Sequence, residues 1–142
     1  MTNVVLEKDS SIPFPHFTLL KASAGSGKTY SLTERFVQFL LSNKIPQNRL
    51  RNILAITFSN NAAKEMKERI LSWLKDIYFN DPEKIEKLSE IVSLRKEDLP
   101  GRAEAAIDEI LRNYTEFQVK TIDSFMTSIY KASAINLGYS PD

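Results

Sequence analysis

The run Ala22–Ser23–Ala24–Gly25–Ser26–Gly27–Lys28–Thr29 limits the possible folds more than any other feature of the chain. It follows the short apolar stretch "HFTLLKA", which has the size of a buried strand. It opens a helical pattern in which Leu32, Phe36, Phe39 and Leu40 recur at spacings of three and four. Strand, glycine-rich turn and helix form the setting of a phosphate-binding loop. Small residues let successive backbone N–H groups turn around phosphate oxygens, and Gly25 and Gly27 permit close approach. The positive end of the helix adds to the same attraction. The G-x-x-x-x-G-K-[ST] pattern is met with one departure, Ala22 in place of the first glycine. The loop and the adjoining Tyr30 are therefore expected to hold a nucleoside triphosphate. Lys28 is expected to reach the β- and γ-phosphates, and the Thr29 hydroxyl to bind Mg²⁺.

The remaining pattern predicts parallel α/β architecture. Residues 1–16 read as an irregular lead-in containing Pro13 and Pro15. Asn43 and Pro46 are stop signals for the first helix. "NILAITF", Asn52 to Phe58, is a second extended run, followed by a helix capped at Ser59 or Asn60. The apolar stripe of that helix is Ala62, Ala63, Met66, Ile70, Trp73 and Ile77. Asp81–Pro82–Glu83 starts a small helix through about Leu94. Beyond "LPG", Ala103, Ala106, Ile107, Ile110, Leu111 and Tyr114 form another stripe. "FQVKTI", Phe117 to Ile122, returns to extended character, and helix resumes from Ser124 to Gly138. Such alternation predicts parallel strands with right-handed crossovers.

Two strand ends carry residues suited to a polymer of phosphates. Thr57, Phe58, Ser59 and Asn60 end the second run, and Lys64, Lys67 and Arg69 lie on the helix after it. An aromatic ring beside small hydrogen-bonding groups and cations is what single-stranded nucleic acid requires. Thr121, Asp123, Ser124 and Phe125 repeat the arrangement at the third run. In open parallel sheets ligands bind at the carboxyl ends of strands. The structural alternatives are a buried Phe58 with solvated lysines, and a helix capped by Asp123 or Ser124 over a buried Phe125. The charge distribution fits the first reading or ordinary scatter. Residues 44–75 hold seven Lys/Arg against two Asp/Glu, and residues 76–116 hold six against eleven.

In order and spacing, "ASAGSGKT", "AITFSNNAAKEMKERI" and "TIDSF" resemble the amino-terminal part of superfamily 1 DNA helicases of the UvrD/Rep/RecB type, with a first motif in the RecB/AddA form. The resemblance covers about residues 17–137. It implies an α/β P-loop NTPase (RecA-like) fold, a parallel sheet with flanking helices that is incomplete here, with a helical insert over about residues 80–115. Residues 1–142 would be the first segment of the ATP-binding domain 1A. ATP and Mg²⁺ are the implied cofactors, held by Ala22, Ser23, Ala24, Gly25, Ser26, Gly27, Lys28, Thr29 and Tyr30. Single-stranded DNA is the implied partner, contacted by Thr57, Phe58, Asn60, Asn61, Lys64, Thr121, Ser124 and Phe125. Further implied partners are domains 1B, 2A and 2B of the same chain and a nuclease domain or subunit. Asn61 stands where the family commonly has lysine, and Asp123 where histidine is common. A carboxylate would repel a nucleic acid backbone, so Asp123 is expected to cap or orient.

"AAIDEI" superficially resembles the acidic box that such enzymes use to hold Mg²⁺ and activate water, but its alanine-rich surroundings predict a helix with Asp108 and Glu109 facing out. The chain therefore reads as an amino-terminal fragment that alone turns over nothing. A small P-loop kinase is the enzymatic alternative, with Arg95, Arg102 and Arg112 as lid candidates. A non-catalytic nucleotide-binding module is the other. The absence of cysteine removes disulfides and thiolate metal sites, and no run reaches the roughly 18 apolar residues of a membrane span. A cytoplasmic protein is expected.

Overall fold

The computed structural model describes residues 6–21 and 26–138. Ala22 to Gly25, the first half of the phosphate loop, lie outside the described residues, as does the Ser26 side chain. Five helices and two strands follow in the order α1 (Ser26–Leu41), β1 (Leu54–Thr57), α2 (Asn60–Tyr78), α3 (Pro82–Ile91), α4 (Leu99–Arg112), β2 (Gln118–Thr121) and α5 (Ile122–Asn136).

β1 and β2 pair in parallel, with Leu54 opposite Gln118 and Thr57 opposite Thr121. Their crossover consists of α2, α3 and α4, so the helical insert lies between the two strands in sequence. One face of the sheet is covered: Ala55, Val119 and Thr121 are buried, and α2 packs on both strands. Leu54 and Ile56 alternate to the opposite face and stay exposed.

The first predicted strand, "HFTLLKA", is not formed among the described residues. Residues 16–21 carry no regular structure, and Phe17 and Leu19 are 85% and 73% exposed. A strand is stabilised only by a neighbouring backbone ladder. Among the described residues the sheet contains β1 and β2 alone.

Helix capping follows the sequence closely at two places. The Ser59 side chain accepts a hydrogen bond from the Ala62 N–H at 3.1 Å, and Asp81 Oδ2 accepts from the Lys84 N–H at 3.0 Å. α2 buries Ala63, Met66, Ile70, Trp73, Leu74 and Ile77, the expected stripe with Leu74 added and Ala62 only half-buried. This face meets α4, α1 and β2. Each large side chain so buried contributes about 1.5–3 kcal/mol. α4 corrects its own stripe: Ala103, Ala106 and Ile110 are buried, but Leu111 and Tyr114 are exposed. Leu111 falls one residue beyond Ile110, about 100° around the helix. Tyr114 lies past the helix end, in a 3₁₀ turn (Tyr114–Glu116). Asp108 is exposed within α4, so the acidic pair is helical as expected.

The lead-in is docked. Leu6 and Ile12 are buried, and Asp9 opens a 3₁₀ turn (Asp9–Ser11) with its side chain 2% exposed. The Asp9 carboxylate accepts from Ser42 Oγ at 2.5 Å and from Ser93 Oγ and N at 2.5 and 3.0 Å. One side chain thus ties the chain start to the ends of α1 and α3. Burial pushes this carboxyl up, but the serine hydrogen bonds outweigh it and hold it below the usual aspartate range.

Candidate nucleotide and single-strand site

Gly27, Lys28 and Thr29 occupy the first turn of α1, where unpaired backbone N–H groups and the helix dipole favour an anion. Gly27 and Lys28 are exposed and Thr29 half-buried. Thr33 Oγ1 donates to the Thr29 carbonyl at 2.8 Å, and no hydrogen bond to a described residue engages the Thr29 hydroxyl. A hydroxyl oxygen is a hard donor suited to Mg²⁺. Among the described residues no group of three His, Cys, Asp or Glu could hold a metal.

Behind this turn α1 is fixed by an aromatic and charged cluster. The Tyr30 ring meets Trp73 of α2 edge to face at 5.4 Å between centroids. Lys84 of α3 lies over the Trp73 ring at 4.4 Å, and Lys87 of α3 donates to the Tyr30 hydroxyl. That hydrogen bond raises the Lys87 pKa despite burial. Burial pushes the Glu34 carboxyl up, against the pull of Lys87 and Arg35. Tyr30 is thus braced against α2 and α3, and Trp73 is core, 5% exposed.

The strand ends form a second group. Parallel pairing in register brings Thr57 and Thr121 side by side, so α2 and α5 both begin at one edge. Thr57 Oγ1 donates to the Ser59 carbonyl at 3.2 Å, which shapes the turn into α2. Thr121 Oγ1 accepts from the Ser124 N–H at 3.1 Å and is the cap of α5. The expected cap at Asp123 or Ser124 is therefore corrected by two or three positions. Thr121 has the extended backbone a cap requires, and Asp123 and Ser124 are already in the first turn. Phe58 is 93% exposed at the end of β1, so the reading that buries it fails. Phe125 is half-buried.

A cleft of about 460 Å³ opens beside this edge, between α2, β2 and the Tyr114–Glu116 turn. Asn60, Lys64, Thr121 and Ser124 line it, which unites four of the residues expected from sequence. Thr57, Phe58, Asn61 and Phe125 are not part of it. Lys67, Tyr114, Thr115 and Lys120 are; Lys67 reads from sequence as one of the cations on this helix, whereas sequence reasoning did not select Tyr114, Thr115 and Lys120. The available signal was Asn60, Lys64 and Lys67 at spacings of four and three, one face of α2. Arg69, counted among the basic residues of that helix, is instead paired with Glu65 at 2.6 Å.

Parallel strands whose ends and following helices share a basic, hydroxyl-rich edge define an α/β protein, a class in which ligands bind at the carboxyl rim of the sheet. The chain belongs to the UvrD/REP helicase family, whose N-terminal domain matches residues 8–142. It is 34% identical over 96 residues, 68% of this chain and 8% of the relative, to the A subunit of the ATP-dependent helicase/nuclease of Clostridioides difficile. The same protein of Exiguobacterium sibiricum is 33% identical over 124 residues, 87% of this chain and 9% of the relative. That of Alkaliphilus metalliredigens is 54% identical over 52 residues, 37% of this chain and 4% of the relative. The chain thus spans less than a tenth of the length of these relatives. No solved structure gives a significant match. The family implies the P-loop NTPase fold and use of ATP.

Two of the three lid candidates of the kinase alternative are engaged. Arg95 pairs with Glu97 and Asp98, and Arg102 donates to the Leu41 and Ser42 carbonyls. Arg95 is thus engaged within its own turn and Arg102 ties α4 to the end of α1, while Arg112 is exposed. Among the described residues no helix is long and apolar enough to cross a membrane.

Proposed function

We propose that this chain is the first segment of the ATP-binding domain of a DNA helicase that travels on single-stranded DNA in repair or recombination. The observation that carries the reading is the parallel register of β1 and β2, which sets Thr57 beside Thr121 on an edge rich in lysine and hydroxyl groups. Gly25, Gly27, Lys28 and Thr29 would hold ATP, with Mg²⁺ neutralising phosphate charge as it does in such sites. Thr57, Phe58, Asn60, Asn61, Lys64, Thr121, Ser124 and Phe125 would line the strand. Phe58 is an unstacked ring available to a base, and the helix starts and lysines serve the backbone. The Asp123 carboxylate, exposed in the first turn of α5, complements the helix dipole rather than the nucleic acid.

On this reading the two-domain closure that drives stepping needs domains 1B, 2A and 2B. A nuclease domain or partner protein would act with them, and the cytoplasm is the place of action. The chain alone binds nucleotide weakly and hydrolyses none. The test combines a fluorescent ATP analogue with Mg²⁺, labelled oligo-dT, and an ATPase assay with and without oligo-dT. Lys28→Ala removes nucleotide binding and leaves DNA binding intact. Phe58→Ala weakens oligo-dT binding by about tenfold, the value of one base–aromatic stack. DNA-stimulated hydrolysis by the chain, lost in Lys28→Ala, would refute its dependence on further domains; tight oligo-dT binding indifferent to Phe58→Ala would refute the strand track.

A further inference from the structure

We infer that the cleft between α2 and β2 seats a backbone phosphate of the bound single strand, with Lys67 as its cation and the Tyr114 ring and Thr115 hydroxyl as its wall. The inference rests on the single-strand reading of the rim and extends the track past the residues that reading uses.

Charge selects the occupant. Lys64, Lys67 and Lys120 line the cleft, and no carboxylate does among the described residues. Several cations of the crossover find acids: Arg69 pairs with Glu65, Lys87 with Glu83, Arg95 with Glu97 and Asp98, and Lys96 with Glu86, while Lys84 lies over Trp73 and Arg102 donates to backbone carbonyls. Lys67 has no such pair among the described residues. Its ammonium instead sits over the Tyr114 ring at 5.1 Å and the Phe117 ring at 5.8 Å. A ring face orients an ammonium without neutralising it, so the charge stays directed at the cleft. Phe117 is buried and Tyr114 is exposed, and both line the cleft. The aromatic residue expected in the α4 stripe is thus freed from the core to position a cation.

Geometry makes the seat continuous with the rim. Asn60, Lys64 and Lys67 stand on one face of α2, seven residues from first to last, about 10 Å along the axis. The start of α2 is at the strand ends, where Thr121 and Ser124 also line the cleft. A strand stacked at Phe58 and crossing the rim would run its backbone along this face toward Lys67.

The test is fluorescence anisotropy of labelled oligo-dT with the whole chain, between about 50 and about 200 mM salt. Each phosphate contact on a single strand adds about 0.7 to the slope of log affinity against log salt. Lys67→Gln is expected to lower that slope by about 0.7 and weaken binding several-fold at low salt, with Lys67→Arg restoring both. Thr115→Glu, at an exposed position, places an acid in the cleft and weakens binding without a change in melting temperature. Lys75→Gln, an exposed lysine at the far end of α2, leaves slope and affinity unchanged. Unchanged slope and affinity in both Lys67→Gln and Thr115→Glu, with Phe58→Ala still weakening binding, would overturn the cleft assignment and leave the rim standing. No oligo-dT binding by the unaltered chain at low salt would overturn both.

Discussion

Asp9 belongs to none of the motifs, yet its buried side chain ties three segments of the fold together. Its carboxylate is buried and accepts from two serine hydroxyls and one backbone N–H, joining the lead-in to the ends of α1 and α3. Hydrogen bonds to a charged group are each worth about 1.5–3 kcal/mol net, and an abandoned buried donor costs about 1–3 kcal/mol. Asp9→Ala leaves the Ser93 N–H without an acceptor, whereas the two hydroxyls can rotate; Ser42 Oγ also accepts from the Lys44 N–H. The expected loss is therefore about 3 kcal/mol, less than the sum of three charged bonds. In a chain of this size that lowers the melting temperature by roughly 10 °C. Asp9→Asn keeps an acceptor oxygen and is expected to cost about 1 kcal/mol.

The pH dependence sharpens the test. Because the folded Asp9 carboxyl lies below its ordinary value, its stabilisation is fully present above about pH 4 and disappears as the pH falls through the folded value. Glu34 has the opposite sign, its folded carboxyl being raised, but it is common to both proteins and cancels in a difference. Urea titrations of the unaltered chain and Asp9→Asn should thus separate at neutral pH and converge at strongly acidic pH. Asp9→Ala within about 0.5 kcal/mol of the unaltered chain, the range of ordinary surface changes, would refute the tie. A gap between the unaltered chain and Asp9→Asn that stays constant down to low pH would refute the charge as its source.

Ile70→Ala, a fully buried position where α2 meets its neighbours, is expected to lose about 3 kcal/mol in urea unfolding. Thr121→Val removes the α5 cap and costs about 1 kcal/mol by the same measurement; Thr121→Ser restores it.

The elements were legible where local chemistry and packing agree. The stripe of α2, the Ser59 and Asp81 caps and the end of α5 near Gly138 all follow from patterns that the fold has no reason to override. Gly138 takes φ +79° and its N–H reaches the Ile135 carbonyl at 3.1 Å, the left-handed stop that glycine permits. "HFTLLKA" failed as a strand because apolar composition records a side chain's preference, not the presence of a neighbouring ladder. Tyr114 failed as core because the spacing of the stripe continues in sequence while the helix ends at Arg112. The rim was legible as a set of residues at strand ends. The cleft was not, since Lys67 meets Tyr114 only after α3 and α4 have folded back, a contact 47 positions apart in the chain.

The same crossover links the two halves of the site. α1 starts at the phosphate loop and α2 starts at the rim, and the two helices touch through Tyr30 and Trp73. Packed helices shift as bodies, so a change at the first turn of α1 reaches α2 through that contact. Trp73 is the sole tryptophan of the chain, with the Tyr30 ring at 5.4 Å and the Lys84 ammonium at 4.4 Å. The two neighbours belong to α1 and α3, and an ammonium moved relative to an indole changes its emission. Adding ATP with Mg²⁺ should therefore alter Trp73 fluorescence saturably, and Lys28→Ala should abolish the change. Tyr30→Leu should reduce it while leaving nucleotide affinity within a few-fold, because the Tyr30 ring is turned to α2. A fluorescence change of full size in Tyr30→Leu would show that the signal travels by another route; an unchanged spectrum under saturating nucleotide would show that α1 binds without moving against α2.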